Sequence, residues 1–268
     1  MKIQISRAAL IAALFVMAAV ASQAQAAFVL VENFNALADG AVNGQNGWSA
    51  DNSSVDVIST SPASASDKAL ESGGPSTEAY KTTPTIANGS TGTVFFQFNA
   101  DVLTAGSSFG LADTTIGSSV FESYRPQIAL NATGDFLVRD GGSFDTVDQA
   151  VSADTWYSIW MVADNSAANT YEVYIQGGAF GSQTQLTTGS GAQSVFAFRN
   201  EETGGADLTN FLFAHGGGTD NAIVVDNIYV DAAGENLTDP ISAVIPVPAA
   251  LPAGLMLMGV IGLRRQSR

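Results

Sequence analysis

Between residue 27 and about residue 245, apolar residues come in short runs broken by turn residues. Val94–Phe98, Gln127–Leu130, Asp135–Arg139, Trp156–Val162, Tyr171–Ile175, Phe211–Phe213 and Ile223–Val230 are β-branched and aromatic runs of strand length. Ala132-Thr133-Gly134-Asp135, Asp140-Gly141-Gly142, Asp164-Asn165-Ser166 and Gln176-Gly177-Gly178 punctuate them as turns. No long stretch repeats apolar residues at helical spacing, and no internal repeat is present. Many short strands with frequent turns predict an all-β fold, an antiparallel β-sandwich. Residues 49–92 and 176–194 are rich in Ser, Thr and Gly and read as loops or edge strands. If 156–162 is a strand, Trp156 and Trp160 share one face with Ser158, and Tyr157 and Ile159 take the other.

The two ends follow a different pattern. Lys2 and Arg7 precede an apolar stretch, Ala8 to Ala21, and then Ala24-Gln25-Ala26, the order of a secretory signal peptide. Cleavage is expected after Ala26 or Ala27. From Pro240 to Leu263 there is no charged residue, and Arg264, Arg265 and Arg268 follow. A bilayer-spanning helix needs roughly 20 mostly apolar residues, but Pro246, Pro248 and Pro252 break the first half of this run. The expected helix, from Leu251 or Pro252 to Leu263, is therefore short. The arginines predict a cytoplasmic end, with the body on the other side of the membrane. Three segments result: a signal peptide at 1–26, a β-sandwich domain at 27–240 and a C-terminal signal at 241–268.

Ile245-Pro246-Val247-Pro248-Ala249, the apolar run and the Arg264-Arg265 cluster resemble a PEP-CTERM sorting tail of the VPLPA type. Ile245 and Val247 stand where that variant has Val and Leu, and both changes keep an aliphatic residue. The resemblance covers the last 24 residues. It implies processing by an exosortase-like membrane enzyme after a transient hold in the inner membrane. The host would be a Gram-negative bacterium that makes exopolysaccharide, and the product would reach the cell surface or matrix. It implies nothing about the activity of the body.

Within the body, several pieces in order resemble the concanavalin A-like (laminin-G/legume-lectin) jelly roll. They are Val31-Glu32-Asn33-Phe34, Gly44-Gln45-Asn46-Gly47-Trp48, the stretch from Asp154 through Trp160 to Ile175, and Val225-Asp226-Asn227-Ile228-Tyr229-Val230. The resemblance implies that the closing strand lies beside the first. An immunoglobulin-like sandwich is the alternative. The resemblance also implies one structural calcium where first and last strands meet, with Glu32 and Asp226 in matching places. Calcium takes six to eight oxygen ligands. No EF-hand loop is present.

Charge sharpens the class. The chain has 10 basic and 25 acidic residues, and half of the basic ones lie in the two ends. The body keeps Lys68, Lys81, Arg125, Arg139 and Arg199, five against 25 acids, a formal charge of −20. Nucleic-acid binding needs a basic footprint and is excluded. There are no cysteines, so thiol catalysis and Cys-ligated metals are excluded, and the fold rests on its core.

Candidate chemistry is sparse. Glycoside hydrolysis needs two carboxylates about 5–9.5 Å apart, yet no E-x-D-x-x-E motif occurs, Glu201-Glu202 are adjacent, and Glu172 stands alone. Gly106-Ser107-Ser108-Phe109-Gly110 fits G-x-S-x-G and His215-Gly216-Gly217-Gly218 fits an oxyanion loop. Their order is reversed, no helix pattern follows the serine, and His215 is the only histidine, so the match reads as chance. Trp48, Trp156 and Trp160, with Tyr80 and Tyr124, are the rings available as a sugar-binding platform. The expectation is a non-enzymatic exported surface protein that binds polysaccharide through Trp48, Trp156 and Trp160. The alternatives are a divergent polysaccharide hydrolase or lyase and a purely structural matrix protein.

Overall fold

The computed structural model describes residues 27–242 apart from 52–54, 60–66, 73, 75, 102, 104–105, 114–115, 117–119, 132, 200–204 and 217–222. The predicted signal peptide, the predicted tail helix and Glu201-Glu202 lie outside the described residues. Among those described, no helix is long and apolar enough to cross a membrane.

The body is an antiparallel jelly-roll sandwich of two sheets. In chain order the strands are β1 (Val29–Glu32), β2 (Gly40–Ala41), β3 (Trp48–Ala50), β4 (Val55–Ile58), β5 (Ala69–Ser72), β6 (Thr77–Ile86), β7 (Thr91–Ala100) and β8 (Ser107–Ala112). A one-turn helix, α1 (Val120–Ser123), leads into β9 (Tyr124–Leu130), β10 (Phe136–Asp140), β11 (Ser143–Thr146) and β12 (Tyr157–Asp164). The chain continues through β13 (Thr170–Gly177), β14 (Phe180–Gln185), β15 (Phe196–Ala197), β16 (Leu208–His215) and β17 (Ile223–Asp231). One sheet runs β14-β13-β12-β7-β17-β5-β4-β2, with β1 added on β17 and β15 on β13. The other runs β11-β10-β9-β8-β16-β6-β3. The closing strand β17 pairs with β1, Val29 opposite Val230.

Period-two alternation builds the core. Tyr171, Val173 and Ile175 of β13 point inward while Glu172 and Tyr174 stay half-buried. Phe96 of β7 meets Phe109 of β8 and Phe211 of β16, with ring centroids 5.4 and 5.3 Å apart, so both sheets share one aromatic cluster. Tyr171 crosses the core, its hydroxyl 2.6 Å from the backbone carbonyls of both Gln127 and Arg139. The strand β7 is buried on both faces because its neighbours are covered too. On its outer side, Phe95 packs against Trp160 at 5.0 Å and Tyr229 at 6.0 Å. The chain after β17 folds back over this cluster: Thr93 Oγ1 donates to Gly234 O, and Trp160 Nε1 donates to Thr238 O.

One region departs from the sequence reading. Residues 49–92, expected as loops or edge strands, contain β4, β5 and the ten-residue β6, which lies between β16 and β3. The inward positions of β6 are Thr77, Ala79, Lys81 and Thr83, so its alternation is carried by small and polar residues. Its pairing with β16 shifts register between Leu208 and Asn210, opposite the segment holding Pro84, where a residue without an N–H is tolerated. The G-x-S-x-G segment, read as a chance match, lies largely on a strand. Ser107 to Gly110 lie on β8, and a Cβ on Gly110 would run into the carbonyl of Pro126 on β9. That close approach accounts for the glycine without a nucleophile turn.

Candidate functional site

Two of the polar clusters buried among the described residues differ in how completely they are satisfied. The first surrounds Glu32 at the end of β1. Its Oε1 accepts from the backbone N–H groups of Asn33 (3.2 Å) and Phe34 (3.1 Å). Its Oε2 accepts from Lys81 Nζ (2.7 Å), Asn46 Nδ2 (2.9 Å) and Trp48 Nε1 (3.3 Å). Burial alone would raise this carboxyl, but the Lys81 and Asn46 bonds outweigh it and hold it below the usual carboxylate range. Asp226, on β17, is fully buried and holds only the backbone and side-chain N–H groups of Asn227. Burial pushes its carboxyl up to about 8, and the nearby charges of Asp67 and Glu32 push the same way.

The calcium expected at Glu32 and Asp226 does not fit these residues. Both oxygens of Glu32 are filled by five donors, and the Lys81 ammonium supplies the positive charge that a cation would bring. Among the described residues, no group of three or more His, Cys, Asp or Glu is placed to hold a metal ion. Two of the three tryptophans also depart from expectation. Trp48 (2 % exposed) points into the Glu32 cluster and packs on Phe34 at 5.6 Å. Trp160 (1 % exposed) lies under the folded-back C-terminal segment. Trp156 precedes β12 and is half-buried, its Nε1 buried without a partner. Neither Trp48 nor Trp160 offers a ring face to a ligand, and no tryptophan lines the cavity described next.

The second cluster borders a cavity of about 490 Å³ on the seven-stranded sheet. Outward side chains of successive strands form its floor: Ser108 of β8, Ala129 of β9, Leu137 of β10 and Ala214 of β16. Two phenylalanines stand at its sides. Phe121 is presented by α1, whose N-terminal side is tied down by the Phe121 N–H donating to Glu78 Oε1 (3.1 Å). Phe144 sits on β11. Each ring is backed by a guanidinium, Arg199 at 4.5 Å over Phe121 and Arg139 at 4.8 Å over Phe144. Asp51 and Glu78 add carboxylates to the wall, held together by the Glu78 N–H donating to Asp51 Oδ1 (2.8 Å).

His215 closes one end of the cavity. It is 1 % exposed, its Nδ1 lies 2.8 Å from Ser107 Oγ, and its Nε2 is buried without a hydrogen-bond partner. Burial lowers its pKa, favouring the neutral ring. The motif serine Ser108 faces away from this pair and accepts from Gln127 Nε2 (3.1 Å). An acyl-transfer triad places serine on Nε2 and a carboxylate on Nδ1. Here Ser107 occupies Nδ1, so the histidine is not oriented that way. On β9, beside Ser108, the buried Oε1 of Gln127 also lacks a partner. Sequence reasoning missed Phe121, Phe144, Asp51, Glu78 and Asn131, which come from separate elements. It singled out His215 and Ser108 only as parts of motif matches.

No family model matches the chain, and no curated protein matches it by sequence. Solved structures similar to it in fold include the alginate lyase of Aplysia kurodai, at 14 % identity over 66 % of this chain and 86 % of that one, with a TM-score of 0.47. The endo-β-1,4-glucuronan lyase of Trichoderma reesei is 12 % identical over 75 % and 95 %, also at 0.47. The lectin UEA-II in complex with galactose is 11 % identical over 72 % and 95 %, again at 0.47.

Proposed function

We propose that this chain is an exported surface or matrix protein that binds polysaccharide, without cleaving it, in the cavity on the seven-stranded sheet. The observation that carries the reading is the cavity itself. It combines two phenylalanine rings with a few polar side chains, Asp51, Glu78, Ser108 and Asn131 among them. Ligand sites are mostly apolar concavities with a small number of placed polar groups, and a sugar ring offers both apolar faces and hydroxyls to such a wall. Native electrophoresis of the purified chain in gels cast with polysaccharides tests it. Retardation is expected, and it should be lost when Phe121 and Phe144 are changed to Ala.

Export and sorting complete the proposal. The signal peptide at 1–26 and the Ile245–Ala249 motif with Arg264 and Arg265 support passage through the inner membrane and release by an exosortase-like enzyme. The mature protein from producing cells is then expected to lack both ends by mass spectrometry, and replacing Arg264 and Arg265 should leave the tail attached.

A hydrolase or lyase is the second reading. It is favoured by Asp51 and Glu78 lining the same cavity, since glycoside cleavage uses a carboxylate pair. New reducing ends or unsaturated products on incubation with exopolysaccharide would decide for it.

A further inference from the structure

We infer that the cavity selects a neutral, hydroxyl-rich glycan and discriminates against anionic polymers such as uronates. The inference rests on the reading that this cavity binds polysaccharide. Its first support is the charge of the wall. The charged side chains lining the cavity are Asp51 and Glu78, both acids. An anionic sugar would bring a carboxylate against them inside a partly desolvated space, where like charges repel more strongly than in water.

The second support concerns every cation of the body. Anionic ligands are usually gripped by Arg or Lys, and the body has five such residues. Three are paired with carboxylates, and the two arginines beside the cavity bond to backbone carbonyls and stack on its rings, with Arg199 Nε left unpaired. Lys68 pairs with Asp39 at 3.0 Å and Lys81 with Glu32 at 2.7 Å. Arg125 pairs with Asp113 at 2.5 Å. Arg139, beside the cavity, donates from Nε and Nη2 to the carbonyls of Gly141 (2.9 Å) and Gly142 (2.8 Å) while stacking on Phe144. Arg199 donates from Nη1 to Phe121 O at 2.5 Å while stacking on Phe121. The arginines hold the rings in place. The net charge of the body adds a long-range repulsion of the same sign.

What the wall offers suits hydroxyls. Asp51 and Glu78 bring carboxylate oxygens, and Ser108 and Asn131 bring mixed donor and acceptor groups.

The test uses the purified full-length chain in EDTA at about 0.15 M salt, where exposed charges are screened beyond roughly 8 Å. Affinity electrophoresis compares neutral polymers (a β-glucan, a dextran, a galactomannan) with alginate and polygalacturonate. At least one neutral polymer is expected to bind about tenfold or more tightly than either uronate. The pair Asp51→Asn with Glu78→Gln should narrow that gap by improving uronate binding. A uronate binding as tightly as every neutral polymer overturns the selectivity while leaving the binding reading intact. Retardation by no polymer of either class overturns the binding reading, and the selectivity with it.

Discussion

The Glu32 cluster and the cavity cluster are built from similar residues and behave oppositely. Around Glu32, a buried carboxylate collects five hydrogen bonds, one of them from a buried lysine. In the second, the buried imidazole of His215 keeps Nε2 unpaired, and Gln127 on β9 keeps its Oε1 unpaired. Buried polar groups are nearly always satisfied, and each exception asks for a reason. The contrast separates a structural ion pair, complete in itself, from a region whose buried polar atoms are not all satisfied. The residues expected to bind a ligand, Trp48 and Glu32, belong to the first cluster, and the second carries the proposed site.

The comparison can be broken most forcefully from its structural side. Lys81→Met leaves the Glu32 carboxylate buried without its cation. Breaking a buried pair from one side costs about 3–5 kcal/mol, so chemical denaturation should show a loss of that size. Adding Glu32→Gln to the same variant should recover part of it. Equal stability of Lys81→Met and the parent would mean that Glu32 is not held by the lysine.

On the cavity side the expected effect is smaller and of another kind. Phe121→Ala and Phe144→Ala remove rings that are not part of the inter-sheet core. Each should weaken polysaccharide binding about tenfold, which is about 1.4 kcal/mol, with little change in unfolding midpoint. A large stability loss without a binding change would place the rings with the structural cluster.

The smallest expectation concerns pH. The folded pKa of Asp226, about 8, is above its unfolded value, so the fold binds a proton that the unfolded chain releases. This contribution is fully present below the ordinary carboxylate range and is lost as pH rises through about 8. Stability should therefore fall by about 1 kcal/mol between pH 7 and pH 8, and Asp226→Asn should flatten that fall. Thermal unfolding across this range checks it. Glu32, shifted the other way, contributes stability that is lost as pH falls through the acid range, so the two variants should change opposite limbs of the profile.

Much of the sandwich is legible in the chain because apolar alternation marks the strands that face the core, such as Val94–Phe98 and Tyr171–Ile175. The strand β6 was not legible, since Thr77, Lys81 and Thr83 fill its inward positions. The burial of Trp160 was not legible either, because the segment that covers it, around Thr238, lies far along the chain and has no apolar signature of its own. The cavity could not be read from spacing at all. Asp51, Phe121, Phe144 and His215 come from four separate stretches that only the pairing of β6, β8, β9, β10 and β16 brings together. The two motif matches, read from the sequence as chance, name His215 and Ser108 but give no sign of where they meet. In the structure Ser107, not the motif serine Ser108, meets the histidine.

The most direct test of the central claim is affinity electrophoresis of the purified chain and its Phe121→Ala/Phe144→Ala variant in gels containing a neutral polysaccharide, with Lys81→Met as the structural control. The account predicts that the parent is retarded, that the double variant runs as in an empty gel, and that any folded fraction of Lys81→Met is retarded like the parent. Equal mobility of the parent with and without every polysaccharide, or equal retardation of the parent and the double variant, would contradict it.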